Sequence, residues 1–161
     1  MLLREAKPEL LTVSCFAGIP AIQMLATQLP GTEILGVTIL TDHKEDDCKA
    51  MFSCSVEEAV LRFAQIGKDA GLESLVSSAK EVEMLRANFG LFMTLNTPAI
   101  RPLWSLVPGD GQNPDRIMTP AKAFRAGVDR IVVGRPITQH KYPRQAVELI
   151  LEEITETIIL L

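Results

Sequence analysis

Apolar and polar positions along this chain fall into short continuous runs that alternate with amphipathic ones. Leu10–Cys15 reads as a strand, and Glu33–Leu40 as a second that is almost continuously apolar. Between them Ile19 to Leu29 has helical spacing, with Pro20 in the first turn and Pro30-Gly31 at the end. A polar loop is expected after Leu40. Ser55-Val-Glu-Glu58 has the form of a capping box, and the helix it opens sets Val56, Ala59, Val60, Phe63, Ala64 and Ile66 on one side. Leu72–Ser77 predicts a third strand, Ala79–Phe89 a helix and Leu91–Leu95 a fourth strand. A long loop, Asn96 to Met118, ends at Thr119-Pro120, an N-cap followed by proline at the first helical position. That short helix stops at Gly127. Asp129–Val133 is the fifth strand, and Pro143 opens a last helix with Ala146, Val147, Ile150, Leu151 and Ile154 on its apolar side.

Five strands alternate with about five helices. Continuous apolar strands separated by helices imply a parallel α/β sheet covered on both faces. Two architectures fit this pattern: an open doubly wound sheet, or part of a (β/α)8 TIM barrel. A whole barrel needs about 250 residues, so this chain has room for about five of the eight units. Neither GxGxxG after the first strand nor GxxxxGK[ST] occurs, so the phosphate fingerprints of the open-sheet folds are missing.

Composition narrows the function classes. The chain has 161 residues, 47% hydrophobic and 22% charged, with a formal net charge of -4. This fits a single globular domain, and argues against disorder and against nucleic acid as a partner, which would call for a basic field. No apolar run approaches the roughly 18 residues of a membrane span, and Met1–Lys7 has no signal-peptide core. Cys15, Cys48 and Cys54, an odd number without CxxC, read as reduced thiols of a cytoplasmic protein.

In parallel α/β folds ligands sit at the carboxyl ends of the strands. There the chain places Thr41-Asp42-His43, Thr97-Pro98-Ala99-Ile100-Arg101-Pro102 and Gly134-Arg135-Pro136-Ile137-Thr138. Two of these segments carry an arginine beside glycine or proline. A glycine lets an anion approach the backbone N–H, and a guanidinium offers phosphate a two-pronged fork. Gly134-Arg135 ahead of a helix start is therefore a candidate phosphate cradle; a solvated arginine in a strand-to-helix turn is the plainer alternative.

Thr97-Pro-Ala-Ile-Arg-Pro102, Arg116-Ile-Met-Thr-Pro120 and Val133-Gly-Arg-Pro-Ile-Thr138, in that order, resemble the T-P-G-I-R-P, R-[IV]-M-T-P and V-G-R-P-I-T motifs of the bacterial orotidine 5′-monophosphate decarboxylase family. Val37–Thr41 and Val76–Glu81 are similar to that family's fifth and sixth strands, and the likeness runs from Leu10 to Ile154. The resemblance implies strands four to eight of a (β/α)8 barrel, and decarboxylation of orotidine monophosphate to uridine monophosphate in pyrimidine biosynthesis. It implies a nucleotide monophosphate as ligand, no cofactor and no metal. Thr41 matches the hydroxyl that meets the pyrimidine edge, Arg101 the arginine near the phosphate, Gln112 the loop glutamine that closes the site, and Gly134 with Arg135 the phosphate pair.

The departures are specific. Ala99 stands where the family has glycine, Val13–Gly18 differs from the family's V-H-A-x-G-G, and three residues separate Gln112 from Arg116. In the family a Lys-Asp-Lys-Asp array from the second and third strands does the chemistry, one aspartate coming from a partner subunit. This sequence begins just before the fourth strand, so no catalytic residue is assigned and the chain alone is expected to be inactive. Unpaired strand edges then favour homo-oligomers or association with the remaining barrel segment. A non-catalytic nucleotide-binding remnant, an assembly module and a sugar-phosphate decarboxylase are the alternatives. Asp42-His-Lys44-Glu-Asp-Asp47 fits D-x-K-x-x-D literally, but Thr41 places it after the fifth strand, where a solvated charged loop is expected. His43, Asp46, Asp47 and Cys48 match no standard zinc spacing. Cys48 and Cys54 lie near a helix start without a base to activate them, His140 is expected in solvent, and Trp104 is expected to anchor the long loop.

Overall fold

The computed structural model describes residues 5–40, 43–106 and 118–159. Five strands, β1 (Leu10–Ser14), β2 (Glu33–Val37), β3 (Ser74–Val76), β4 (Thr94–Thr97) and β5 (Arg130–Ile131), form one sheet in sequential order, every pair parallel. The helices are α1 (Ile19–Gln28), α2 (Glu45–Phe52), α3 (Val56–Asp69), α4 (Val82–Phe89), α5 (Pro120–Arg125), α6 (Arg135–Thr138) and α7 (Pro143–Ile159). Sequential order with a helix in each crossover is the arrangement of a (β/α)8 barrel, so the chain forms part of such a barrel rather than a doubly wound sheet, whose strand order reverses.

The register sorts side chains onto two faces. Thr12, Leu35, Ser74 and Thr94 are aligned across four strands, and Val37, Val76, Asn96 and Arg130 across the next level. The opposite face carries Leu75 and Leu95, both buried in the main core with Val60, Phe63, Val82 and Leu85 of α3 and α4. Ile34 joins Ile22, Leu29, Ala70 and Leu72 in a second cluster beneath α1. The first face is concave. Both carboxylate oxygens of Glu33 on β2 accept from Arg130 Nη1 on β5 at 2.9 Å, although β3 and β4 lie between. Side chains stand roughly perpendicular to a sheet, so such a contact requires the sheet to curl. Ser74 on β3 also donates to Glu33, and this hydrogen bond, ahead of Arg130, holds the Glu33 carboxyl below its usual range.

Local chemistry starts and stops the elements. The Ser55 hydroxyl accepts from Glu58 N–H at 3.2 Å while the Glu58 carboxylate accepts from Ser55 N–H at 2.9 Å, the expected capping box of α3. Thr119 caps α5 by accepting from Lys122 N–H at 3.3 Å. Arg86 of α4 donates to the carbonyls of Gly127 and Met93 and pairs with Asp129, which accepts from Leu95 N–H at 2.7 Å. This knot fixes the entry of β4 and β5, the two strands that carry the arginine loops.

Three local expectations need correction. The polar segment after Leu40 contains α2: Asp47 accepts from Lys44 N–H at 2.8 Å and caps the helix start, and Cys48 fixes its inner side in the core. The fourth strand lies at Thr94–Thr97, not Leu91–Leu95, because Leu91 and Phe92 sit 87% and 92% exposed in the turn leaving α4. The apolar side of α7 is only partly covered, with Ala146 and Ile150 buried and Leu151 exposed.

Close packing between sheet and helix depends on two glycines. A Cβ at Gly36 would lie 2.7 Å from Cys15 Sγ and 2.9 Å from Leu72 Cδ1, and one at Gly67 of α3 would lie 3.1 Å from Leu75 Cδ2. Burial at this junction pushes the Cys15 thiol up to about 11. Gly36→Ala is therefore expected to cost about 1–3 kcal/mol by overpacking, read as a lower urea midpoint at unchanged slope. Wild-type stability in that variant would show that the junction has slack.

Candidate functional site

The end of the β4–β5 ladder sets the geometry. Val132 N–H donates to Thr97 O at 2.8 Å, carrying the pairing past β5, so the chain leaves both strands side by side. On the β4 side, Arg101 N–H donates to Met118 O at 2.9 Å and Ile100 bridges Met118. The Met-Thr-Pro segment thus holds Ile-Arg-Pro in place. Met118 leads directly into α5, whose Ala121 N–H is accepted by Glu153 of α7 at 3.0 Å. On the β5 side Gly134 precedes α6, in which Ile137 and Thr138 donate to Gly134 O at 2.9 and 3.0 Å.

Arg101, Trp104, Ser105, Arg135, Pro136, Gln139, His140 and Leu149 line one open cavity of about 460 Å³ at this end of the sheet. Arg101 is 5% exposed, and Arg135 is half-buried. No acidic side chain is among the described residues of the lining. Two guanidiniums facing one cavity form a site for an anion with several oxygens. Since α6 has only four residues, a helix dipole adds little at this cavity. Nothing lies within 4 Å of where a Cβ of Gly134 would be, which leaves room beside its backbone.

Of the five candidate ligand contacts, Arg101 and Arg135 come together and Gly134 adjoins them; Thr41 and Gln112 lie outside the described residues. Ser105 and Gln139 are cavity residues that the sequence did not single out. His140, expected in solvent, is half-buried and packs its ring against Trp104, because the single turn of α6 carries it back toward the β4 loop. Of the Asp42–Asp47 run, Asp42 is outside the described residues, and residues 43–47 are not among the lining of this cavity; Lys44 and Asp47 open α2 after β2. Cys15, Cys48 and Cys54 are buried and form no disulfide, and no metal-binding group of three acidic, histidine or cysteine side chains occurs among the described residues. Among the same residues no helix is long and apolar enough to cross a membrane.

Ala99, two residues before Arg101, has φ +62°. This left-handed conformation suits glycine, which accounts for the glycine of the family pattern at this position. Ala99→Gly should relieve strain of about 1–2 kcal/mol while loosening the unfolded chain, for a net gain of about 0.5–1 kcal/mol in denaturant unfolding. A loss of stability would mean that this turn is not strained by the methyl group.

The strand order and the helical crossovers define a segment of a (β/α)8 barrel. Residues 2–150 match the model of the Orotidine 5'-phosphate decarboxylase / HUMPS family, and the chain belongs to that family. It is 44% identical over 122 residues to the orotidine 5′-phosphate decarboxylase of Trichlorobacter lovleyi, covering 75% of this chain and 49% of that protein. With the enzyme of that name from Afipia carboxidovorans it shares 41% identity over 145 residues, covering 89% and 60%. The crystal structure of orotidine 5′-phosphate decarboxylase from Lactobacillus acidophilus superimposes with a TM-score of 0.78 at 30% identity, covering 94% of this chain and 66% of that one. The crystal structure of orotidine 5′-monophosphate decarboxylase from Sulfolobus solfataricus, at 13% identity and TM-score 0.70 over 98% of this chain and 67% of that one, shares the fold. The chain spans about half the length of the curated relatives it matches.

Proposed function

We propose that this chain forms a single domain that supplies the phosphate-gripping side of an orotidine 5′-monophosphate decarboxylase. The observation that carries the reading is that Arg101 and Arg135, from separate motifs, line one cavity free of carboxylates among its described residues. Both guanidiniums hold the phosphate dianion, and the open backbone at Gly134 accepts its near approach. Thr41 and Gln112 take the pyrimidine edge and close the site. The Lys-Asp array comes from a segment carrying the remaining strands, which joins at β1 and β5, the outer strands of the described sheet. The half-exposed concave face around Arg130 supports that association, since an ion pair made for a barrel interior here stays open to solvent.

The test is a calorimetric titration with uridine monophosphate and with uridine. The nucleotide should bind at least tenfold more tightly, because charge-assisted contacts to phosphate contribute about 1.5–3 kcal/mol. Equal affinities, or binding of neither, would remove the phosphate reading.

A further inference from the structure

We propose that Trp104 and His140 form a positioning pair that fixes the separation of Arg101 and Arg135 around one anion, an inference that rests on the phosphate reading above. The two arginines sit on separate loops. Among the described residues, the last backbone hydrogen bond joining these loops is Val132 N–H to Thr97 O, before either arginine-bearing turn begins. Past that point the first loop is tied to Met118 at Arg101 and then turns, and the second folds on itself. On one side Ser105 N–H and Oγ both donate to Pro102 O, at 3.0 and 2.9 Å, closing a tight turn that presents Trp104. On the other, Gln139 N–H donates to Arg135 O at 3.0 Å and His140 N–H to Ile137 O at 3.2 Å, so α6 ends with His140 directed back across the gap. There the rings meet edge to face, with centroids 5.4 Å apart and planes at 73°.

The imidazole is itself held by its own loop, its Nδ1 lying 2.8 Å from Tyr142 O and 3.0 Å from Tyr142 N, so that either tautomer finds a partner in the Tyr142 backbone. One ring is thus fixed by its own loop, the other by a three-residue turn, and both border the cavity that the arginines line. Orienting two guanidiniums on one phosphate without such a brace would cost ordering entropy at each binding event. The pair bears this cost in the unliganded fold. Neither ring needs to touch the anion for this role.

Calorimetric titration of uridine monophosphate into the 161-residue chain and its Trp104→Ala, His140→Ala, double and Trp104→Phe variants tests the pair. Each alanine variant should bind about fivefold more weakly, the size of effect an edge-to-face aromatic contact sustains. The double variant should be no weaker than either single one by more than about twofold, since the two rings act as one unit. Trp104→Phe should come within about twofold of wild type, because it keeps a ring edge at the contact. As Trp104 is the chain's one tryptophan, its emission reports the contact without ligand, and should shift in His140→Ala at unchanged unfolding midpoint. Full affinity in either alanine variant, or losses that multiply to about 25-fold in the double variant, would overturn the proposal while leaving the phosphate reading in place. No binding by wild type would overturn both, and unshifted Trp104 emission in His140→Ala would deny the ring contact itself.

Discussion

Purified as a 161-residue chain, the protein is expected to leave orotidine 5′-monophosphate unchanged, and to acquire turnover only when a fragment carrying the first three barrel strands is added. The arginine cavity can position the phosphate, but two tasks remain. A carboxylate must crowd the leaving carboxylate of the substrate, and a lysine must protonate the carbanion left at C6. The cavity lining among the described residues offers neither. The run with the right composition, Asp42 to Asp47, is occupied structurally: the Asp47 carboxylate accepts from the backbone N–H of Lys44 and starts α2. It follows β2, separated from the arginine strand β4 by β3. Loss of one acid–base group commonly costs about 10²–10⁴ in rate, and loss of a coupled array costs more. The assay follows the absorbance of the orotate nucleotide. Turnover by the chain alone that vanishes in Lys44→Ala would reverse this reading and make Asp42–Asp47 the active centre.

The parts of the fold that depend on local chemistry were legible in the sequence. Ser55 with Glu58, Thr119 with Pro120, and the run Glu33–Val37 each declare their element, because a capping hydroxyl or an almost continuously apolar strand leaves few alternatives. The parts that depend on contacts distant in sequence were not. Leu91 and Phe92 look like strand residues but are spent in a turn, since Thr94 pairs with Ser74 and fixes the register three residues later. Glu45–Phe52 looks like a charged loop, since its buried side amounts to Cys48 and a half-covered Phe52. The site divides in the same way. Arg101 and Arg135 could be picked out as arginines at strand ends, yet their sharing of a cavity depends on β4 and β5 being neighbours. Trp104 and His140 carry no local signal of their meeting, which needs the turn at Pro102 and the turn of α6 together.

Substitution of the two arginines should separate binding from folding. Arg135 is half-buried at the start of a four-residue helix and, like Arg101, is engaged within the fold, so Arg135→Ala removes the proposed phosphate contact together with that engagement. Uridine monophosphate should bind about 10- to 150-fold more weakly, the equivalent of about 1.5–3 kcal/mol, with a smaller loss of unfolding free energy than in Arg101→Ala because Arg135 is less buried. Arg135→Lys should recover only part of this, since an ammonium offers phosphate a point charge in place of a planar fork. Arg101 is 5% exposed and already engaged within the fold. Arg101→Ala should therefore weaken binding by a similar factor and also lower stability by about 1–3 kcal/mol, because the groups it satisfies stay buried without it. The two losses should not add fully when combined, since both guanidiniums bind one dianion and removing either lets the other relax. Calorimetry with uridine monophosphate, paired with urea unfolding of each variant, measures both quantities. Unchanged nucleotide affinity in Arg135→Ala would show that the phosphate does not use this cavity, whatever Arg101→Ala does to stability.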